Sequence, residues 1–141
     1  MQRKERIDGA VYERNYIYNF HYHLIWVTKY RNPAFTTPER VNEMKDILLQ
    51  LAEMKEICIE EMEVMPDHVH LLVSFKPKHA PADIVKYLKG HSAKMFLTAH
   101  PEIKNHDFWG GHLWSHSYYM STLGNMSKEI VEQYIRNQYT K

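Results

Sequence analysis

The chain has 141 residues, with 18 Lys and Arg against 17 Asp and Glu and a formal net charge of +1. That length suits one domain with a real core. The near-neutral balance excludes a nucleic-acid binder that works through bulk positive charge, so any such surface must come from local clustering of cations. No apolar run is long enough to cross a bilayer. The N-terminus Met1-Gln-Arg-Lys-Glu-Arg6 lacks the apolar stretch of a signal peptide, so a cytoplasmic location is expected. The lone Cys58 cannot form an intrachain disulfide, which fits a reducing interior, and it is expected to be a small buried strand residue.

Residues 1–15 are polar and read as a loose N-terminal arm preceding one domain, 16–141. Tyr16 to Arg31 is rich in aromatic and β-branched residues, with Tyr18, Phe20, Tyr22, Leu24 and Trp26 in one row, and reads as a long strand ended by Asn32-Pro33. Thr36-Thr37-Pro38-Glu39 starts a helix, and Val41, Met44, Leu48 and Leu51 recur at helical spacing to about residue 55. Ile57 to Met65 is a second strand, polar at Glu60, Glu61 and Glu63. Pro66-Asp67 makes a turn, and His68 opens a third strand to about Phe75. After the loop 76–81, Pro81 begins a helix to about His100. Gly90 weakens that helix and is expected to mark close packing or a bend. Residues 101–112 read as an irregular connection, Leu113 to Thr122 as a fourth strand, and Ser127 as the cap of a last helix reaching about Tyr139.

The order β-α-β-β-α-β-α matches, in its first six elements, the ferredoxin-like α+β pattern, an antiparallel sheet with two helices on one face. Strands one and three are then central. In the third strand Val69, Leu71, Val73 and Phe75 form an apolar row, while His68 and His70 share the opposite face. That face is the one the two helices leave open, and the C-terminal helix is available to cover it.

Two neighbouring imidazoles on a rigid strand are half of a metal site. In the last helix Tyr134 and Gln138 are four residues apart and share a face. Where that face meets the His pair, two imidazoles, an amide oxygen and a phenol come together. Two nitrogens and one neutral oxygen can hold Mg²⁺ or Mn²⁺ with positions left open. Each piece alone has a plainer reading: a structural His pair, a core or surface tyrosine, and for Asp67, which could serve as a further ligand or base, an ordinary Pro-Asp turn residue.

Together the motifs resemble a known family, the single-tyrosine HUH transposases of small insertion sequences. The resemblance rests on Pro66-Asp67-His68-Val69-His70-Leu71 after Met62-Glu-Val-Met65, and on Gln133-Tyr134-Ile135-x-x-Gln138. It is extended by His23-Leu-Ile-Trp26 running into Lys29-Tyr-Arg31, by Lys89-Gly90-x-Ser92-Ala93 and by Leu113-Trp114-Ser-x-Ser117-Tyr118, in the family's order from about residue 16 to the end. It implies that His68, His70 and Gln138 are ligands of a divalent metal, and that Tyr134 is the nucleophile forming a 5′-phosphotyrosine bond to single-stranded DNA, with no nucleotide cofactor. It also implies a homodimer whose tyrosine helix commonly completes the His pair of the other subunit, and recognition of hairpins near element ends.

Candidate DNA contacts are Lys29 and Arg31 after the first strand, Lys86, Lys89, His91 and Lys94 on the second long helix, and Arg136 with Lys141 near the tyrosine. Trp109 and Trp114 are candidate stacking platforms for unpaired bases. Two other functions fit the same residues: a relative that processes chromosomal repeat hairpins, and a non-catalytic domain that only binds hairpin nucleic acid.

Overall fold

A computed structural model describes residues 10–12, 17–18, 21–108, 111–122 and 128–137. The chain runs β1 (Val11–Tyr12), β2 (Ile17–Tyr18), β3 (His21–Val27), a 3₁₀ turn (Lys29–Arg31), α1 (Pro38–Met54), β4 (Cys58–Met65), β5 (His68–Ser74), α2 (Pro81–Ala99), α3 (Pro101–His106), β6 (Tyr119–Ser121) and α4 (Lys128–Asn137). Strands β3 to β6 form one antiparallel sheet in the order β4-β5-β3-β6, which places β3 and β5 centrally as the ferredoxin-like pattern requires.

The register follows from the two-residue period. Val69, Leu71 and Val73 are fully buried and join Leu24 and Trp26 beneath α1 and α2. Burying each such side chain contributes about 1.5–3 kcal/mol. A one-residue slip would drive His68 and His70 into that core instead, so the apolar row locks the pair onto the other face. On that other face Ile25, Val27 and Ile135 form a second, smaller cluster, so α4 does cover the sheet surface that α1 and α2 leave open.

Helix α1 is capped at Thr37, whose side chain accepts from Arg40 N at 3.2 Å, one residue later than Thr36, with Pro38 in the first turn. Met44, Ile47, Leu48 and Leu51 are buried along one stripe. Helix α2 continues unbroken through Gly90, where an added Cβ would meet nothing within 4 Å, so close packing is not its reason.

Several expectations need correction. The first strand is shorter than 16–31: it ends at Val27, because Thr28 turns its N–H to Asp67 O and Tyr30 and Arg31 adopt left-handed backbone with φ 56°. Outside the main sheet, Val11–Tyr12 pairs with Ile17–Tyr18 in a separate two-stranded sheet. Residues 101–106 are helical rather than irregular, with Pro101 in the first turn and Glu102 beside it. The fourth strand is only Tyr119–Ser121; upstream, Trp114 makes a lone bridge to Thr28. Cys58 is exposed, because β4 is the sheet's edge and most of its residues face solvent. Ser127, Trp109, Gln138 and Lys141 lie outside the described residues.

Candidate active site

The pairings Ile25 with His70 and Val27 with His68 put the imidazoles on the face carrying Ile25, Val27 and Ile135. His23, diagonal to His70 on the same face, is buried, and its Nδ1 lies 3.2 Å from His70 Nε2. Sequence reasoning missed His23. Its signal was there: His21, His23, Ile25 and Val27 alternate, so once strand one borders strand three its odd residues share the pair's face.

Asp67 is more than a turn residue. Its Oδ1 lies 2.9 Å from His68 Nδ1, and its Oδ2 accepts from Arg31 Nε at 3.1 Å. The His68 bond, with help from Arg31 and against the opposing effect of burial, holds the Asp67 carboxyl below the usual carboxylate range. An ionised Asp67 accepts a hydrogen bond from His68 Nδ1–H, which leaves the ring's lone pair on Nε2, the arrangement that carboxylates impose on metal-bound histidines. Burial, then the neighbouring His23, pushes His70 down, so its neutral, ligand-competent form prevails at neutral pH. The two imidazoles therefore fit a cation as a half-site. His70 would meet it through Nδ1, or through Nε2 after turning from His23. Among the described residues no group of three or more His, Cys, Asp and Glu could hold a metal ion.

Tyr134 sits on the covered face, packed against the cluster of Ile25, Val27 and Ile135. Its hydroxyl is 3.1 Å from Ser117 Oγ and its ring centroid 5.7 Å from that of Tyr119. Both partners lie on the β6 side of β3, whereas His68 and His70 stand on β5, across β3. Burial pushes the phenol's pKa up, partly offset by Ser117, so Tyr134 is protonated at neutral pH.

The cation candidates divide. Lys86, His91 and Lys94 are exposed on α2, where with Asp83, Tyr87, Gly90 and Met95 they line an open groove of about 650 Å³. Arg136 is exposed on α4. Lys29 is half-buried, its ammonium 5.4 Å from the Tyr30 ring centre. Lys89 instead points inward and donates to Ser115 O and Ser117 O at 2.7 and 3.0 Å. Arg31 is tied to Asp67. Trp114 is only 6% exposed, with Nε1 donating to Ser92 Oγ, which closes its ring faces to a stacking base.

The family model described as "Transposase IS200 like" matches residues 16–138. The chain belongs to this transposase family. It is 42% identical over 128 residues to the ISDra2 transposase TnpA of Deinococcus radiodurans, covering 91% of this chain and 90% of that one. It is 33% identical over 125 residues to the transposase for insertion sequence element IS200 of Salmonella typhimurium, covering 86% and 78%. A crystal structure of a D. radiodurans R1 protein assigned as a transposase superposes with a TM-score of 0.83 at 40% identity, covering 93% of this chain and 99% of that one. A REP-associated tyrosine transposase bound to a REP hairpin shares the fold, with a TM-score of 0.54 at 14% identity, covering 90% and 67%. This IS200-like transposase thus has the antiparallel α+β fold expected from its element order, and its family is one of DNA-transposing enzymes. No helix among the described residues is long and apolar enough to cross a membrane.

Proposed function

We propose that this transposase cleaves and rejoins single-stranded DNA at hairpin-flanked element ends. Tyr134 is the nucleophile, and His68, His70 and Gln138 are the ligands of a divalent cation, Mg²⁺ or Mn²⁺. The observation that carries the reading is the shared face: the His pair, with His68 Nε2 left free by Asp67, stands on the sheet surface that the tyrosine helix covers. A bound cation would polarise a phosphate oxygen and offset the charge that builds up at phosphorus.

The protein's own part is as follows. Tyr134 Oη attacks phosphorus and loses its proton to solvent water as the bond forms, since the buried phenol starts protonated, and the departing 3′-oxygen takes one proton back from the same water, so none is gained or lost overall. The bond from phosphorus to the 3′-oxygen breaks, and that oxygen departs as a 3′-hydroxyl after taking a proton. The 5′-phosphate stays esterified to Tyr134. Attack by a second 3′-hydroxyl reverses the step and joins strands, so the bond energy is conserved and no nucleotide cofactor is required.

The position of Tyr134 on the β6 side of its own sheet favours sites shared between two copies, each tyrosine helix serving its partner's His pair. The 42% identity to an insertion-sequence transposase, against 14% to the REP-associated protein, favours mobilisation of an element over processing of chromosomal repeats. The residues also argue against a pure binding domain, because folding alone does not require an ionised Asp67 braced against His68.

Incubation with single-stranded hairpin DNA and Mn²⁺ should give a covalent adduct, resolved on a denaturing gel and mapped to Tyr134 by mass spectrometry. Tyr134→Phe should abolish it. An adduct that survives in Tyr134→Phe overturns the mechanism. Tight hairpin binding without cleavage under any divalent metal supports the non-catalytic alternative.

A further inference from the structure

Residues 28–35 grip the Pro66–Asp67 turn that opens β5. Thr28 N and Oγ donate to Asp67 O at 2.9 and 3.2 Å, while Ala34 N and Phe35 N donate to Pro66 O at 2.8 and 3.2 Å. Within this segment Tyr30 and Arg31 both hold φ at 56°, a left-handed backbone that residues with a Cβ adopt at an energetic cost. Packing does not repay that cost at Tyr30, which is 59% exposed. Arg31 is different. The turn carries its guanidinium back to Asp67 Oδ2 at 3.1 Å, and the other oxygen of the same carboxylate meets His68 Nδ1 at 2.9 Å. Guanidinium, carboxylate and imidazole form one partly shielded line, with side chains 27%, 20% and 13% exposed.

We infer that Arg31 is a positioning residue for the cation site, acting through Asp67 on His68, rather than a contact to DNA phosphate. The inference rests on the reading above that His68 is a ligand. A carboxylate held only by the imidazole could rotate about its Cβ–Cγ bond and release Nδ1. With Oδ2 fixed by Arg31 and the backbone clamped by Thr28, Oδ1 stays aimed at Nδ1. The proton stays on that nitrogen, and the Nε2 lone pair keeps its direction. Arginine suits the task because its charge is permanent and its donors are set in a rigid plane. The strained turn is what delivers it there.

The test uses the full-length, DNA-free protein and Mn²⁺ as probe, with free Mn²⁺ counted by electron paramagnetic resonance. Arg31→Gln should weaken Mn²⁺ binding about tenfold, in the range seen when partners behind metal ligands are removed, and Asp67→Asn at least as much. Arg31→Lys should recover part of the loss. Hairpin binding by Arg31→Gln in EDTA should match wild type. Wild-type Mn²⁺ affinity in Arg31→Gln overturns the inference, and a fall in metal-free hairpin binding beside it would make Arg31 a phosphate contact. If wild-type protein itself binds no Mn²⁺, the underlying metal reading fails and this inference with it. A second readout needs no variant: ¹⁵N-histidine spectra of the metal-free wild type should show His68 as the Nδ1–H tautomer, and an Nε2–H tautomer overturns the proposal.

Discussion

Lys89 shows how a single residue can look like a surface contact and serve the interior. In sequence it belongs to a basic run on α2, yet its ammonium donates to the carbonyls of Ser115 and Ser117. Ser117 also meets the Tyr134 hydroxyl, so Lys89 anchors the segment on which Tyr134 rests. Burial lowers the Lys89 pKa from 10.5 to about 8. Because the folded value lies below the unfolded one, the unfolded chain binds more protons between those limits. This group's contribution to stability therefore rises as pH climbs from about 8 toward 10.5. Melting temperatures of wild type and Lys89→Met, compared at pH 7 and pH 10, should shift relative to each other in favour of wild type at the higher pH. A difference that does not change with pH would mean the ammonium is not desolvated.

At the scale of elements, helices were read with less error than strands. The stripe of Met44, Leu48 and Leu51 in α1, with Pro38 in the first turn, has one physical solution, an amphipathic helix against a sheet. The same signal, Pro101 followed by Glu102, also opens α3, but a six-residue helix is too short for its periodicity to show. The end of β3 was hidden for another reason: the left-handed turn falls on Tyr30 and Arg31, with no Gly or Asn to announce it. Gly90 yields a prediction of its own. It is exposed in mid-helix with open space around a would-be Cβ. Gly90→Ala should therefore stabilise the protein by about 1 kcal/mol, the difference in helix propensity, read as a raised denaturation midpoint. A destabilised variant would show that α2 needs the glycine's freedom.

Over the whole molecule, the sheet separates two tasks. One face carries the main core under α1 and α2; the other carries the His pair and a small cluster that seats α4 through Ile135. If two copies share sites, mixing Tyr134→Phe with a His68→Ala/His70→Ala variant should restore adduct formation that neither gives alone, because one intact His pair then meets one intact tyrosine. Exchange of subunits before DNA addition and a denaturing gel suffice to read it. No adduct from the mixture would place nucleophile and ligands in the same chain.

Alternation along one strand was enough, from the sequence alone, to set His68 and His70 on a common face opposite Val69 and Leu71, since the period of a strand is a property of the backbone. The order of elements likewise determined a four-stranded sheet with two covering helices, and the spaced motifs pointed to the transposase family. Tertiary structure alone decided what each polar group faces. Arg31 turns to Asp67, Lys89 turns to backbone carbonyls, Trp114 is closed in the core, His23 meets His70, and Tyr134 rests on Ser117. The reason is range. Periodicity and capping act over a few neighbours along the chain, whereas each of these partners lies 17 to 47 residues away or is fixed by a long-range fold, and nothing local encodes which distant donor a side chain will find.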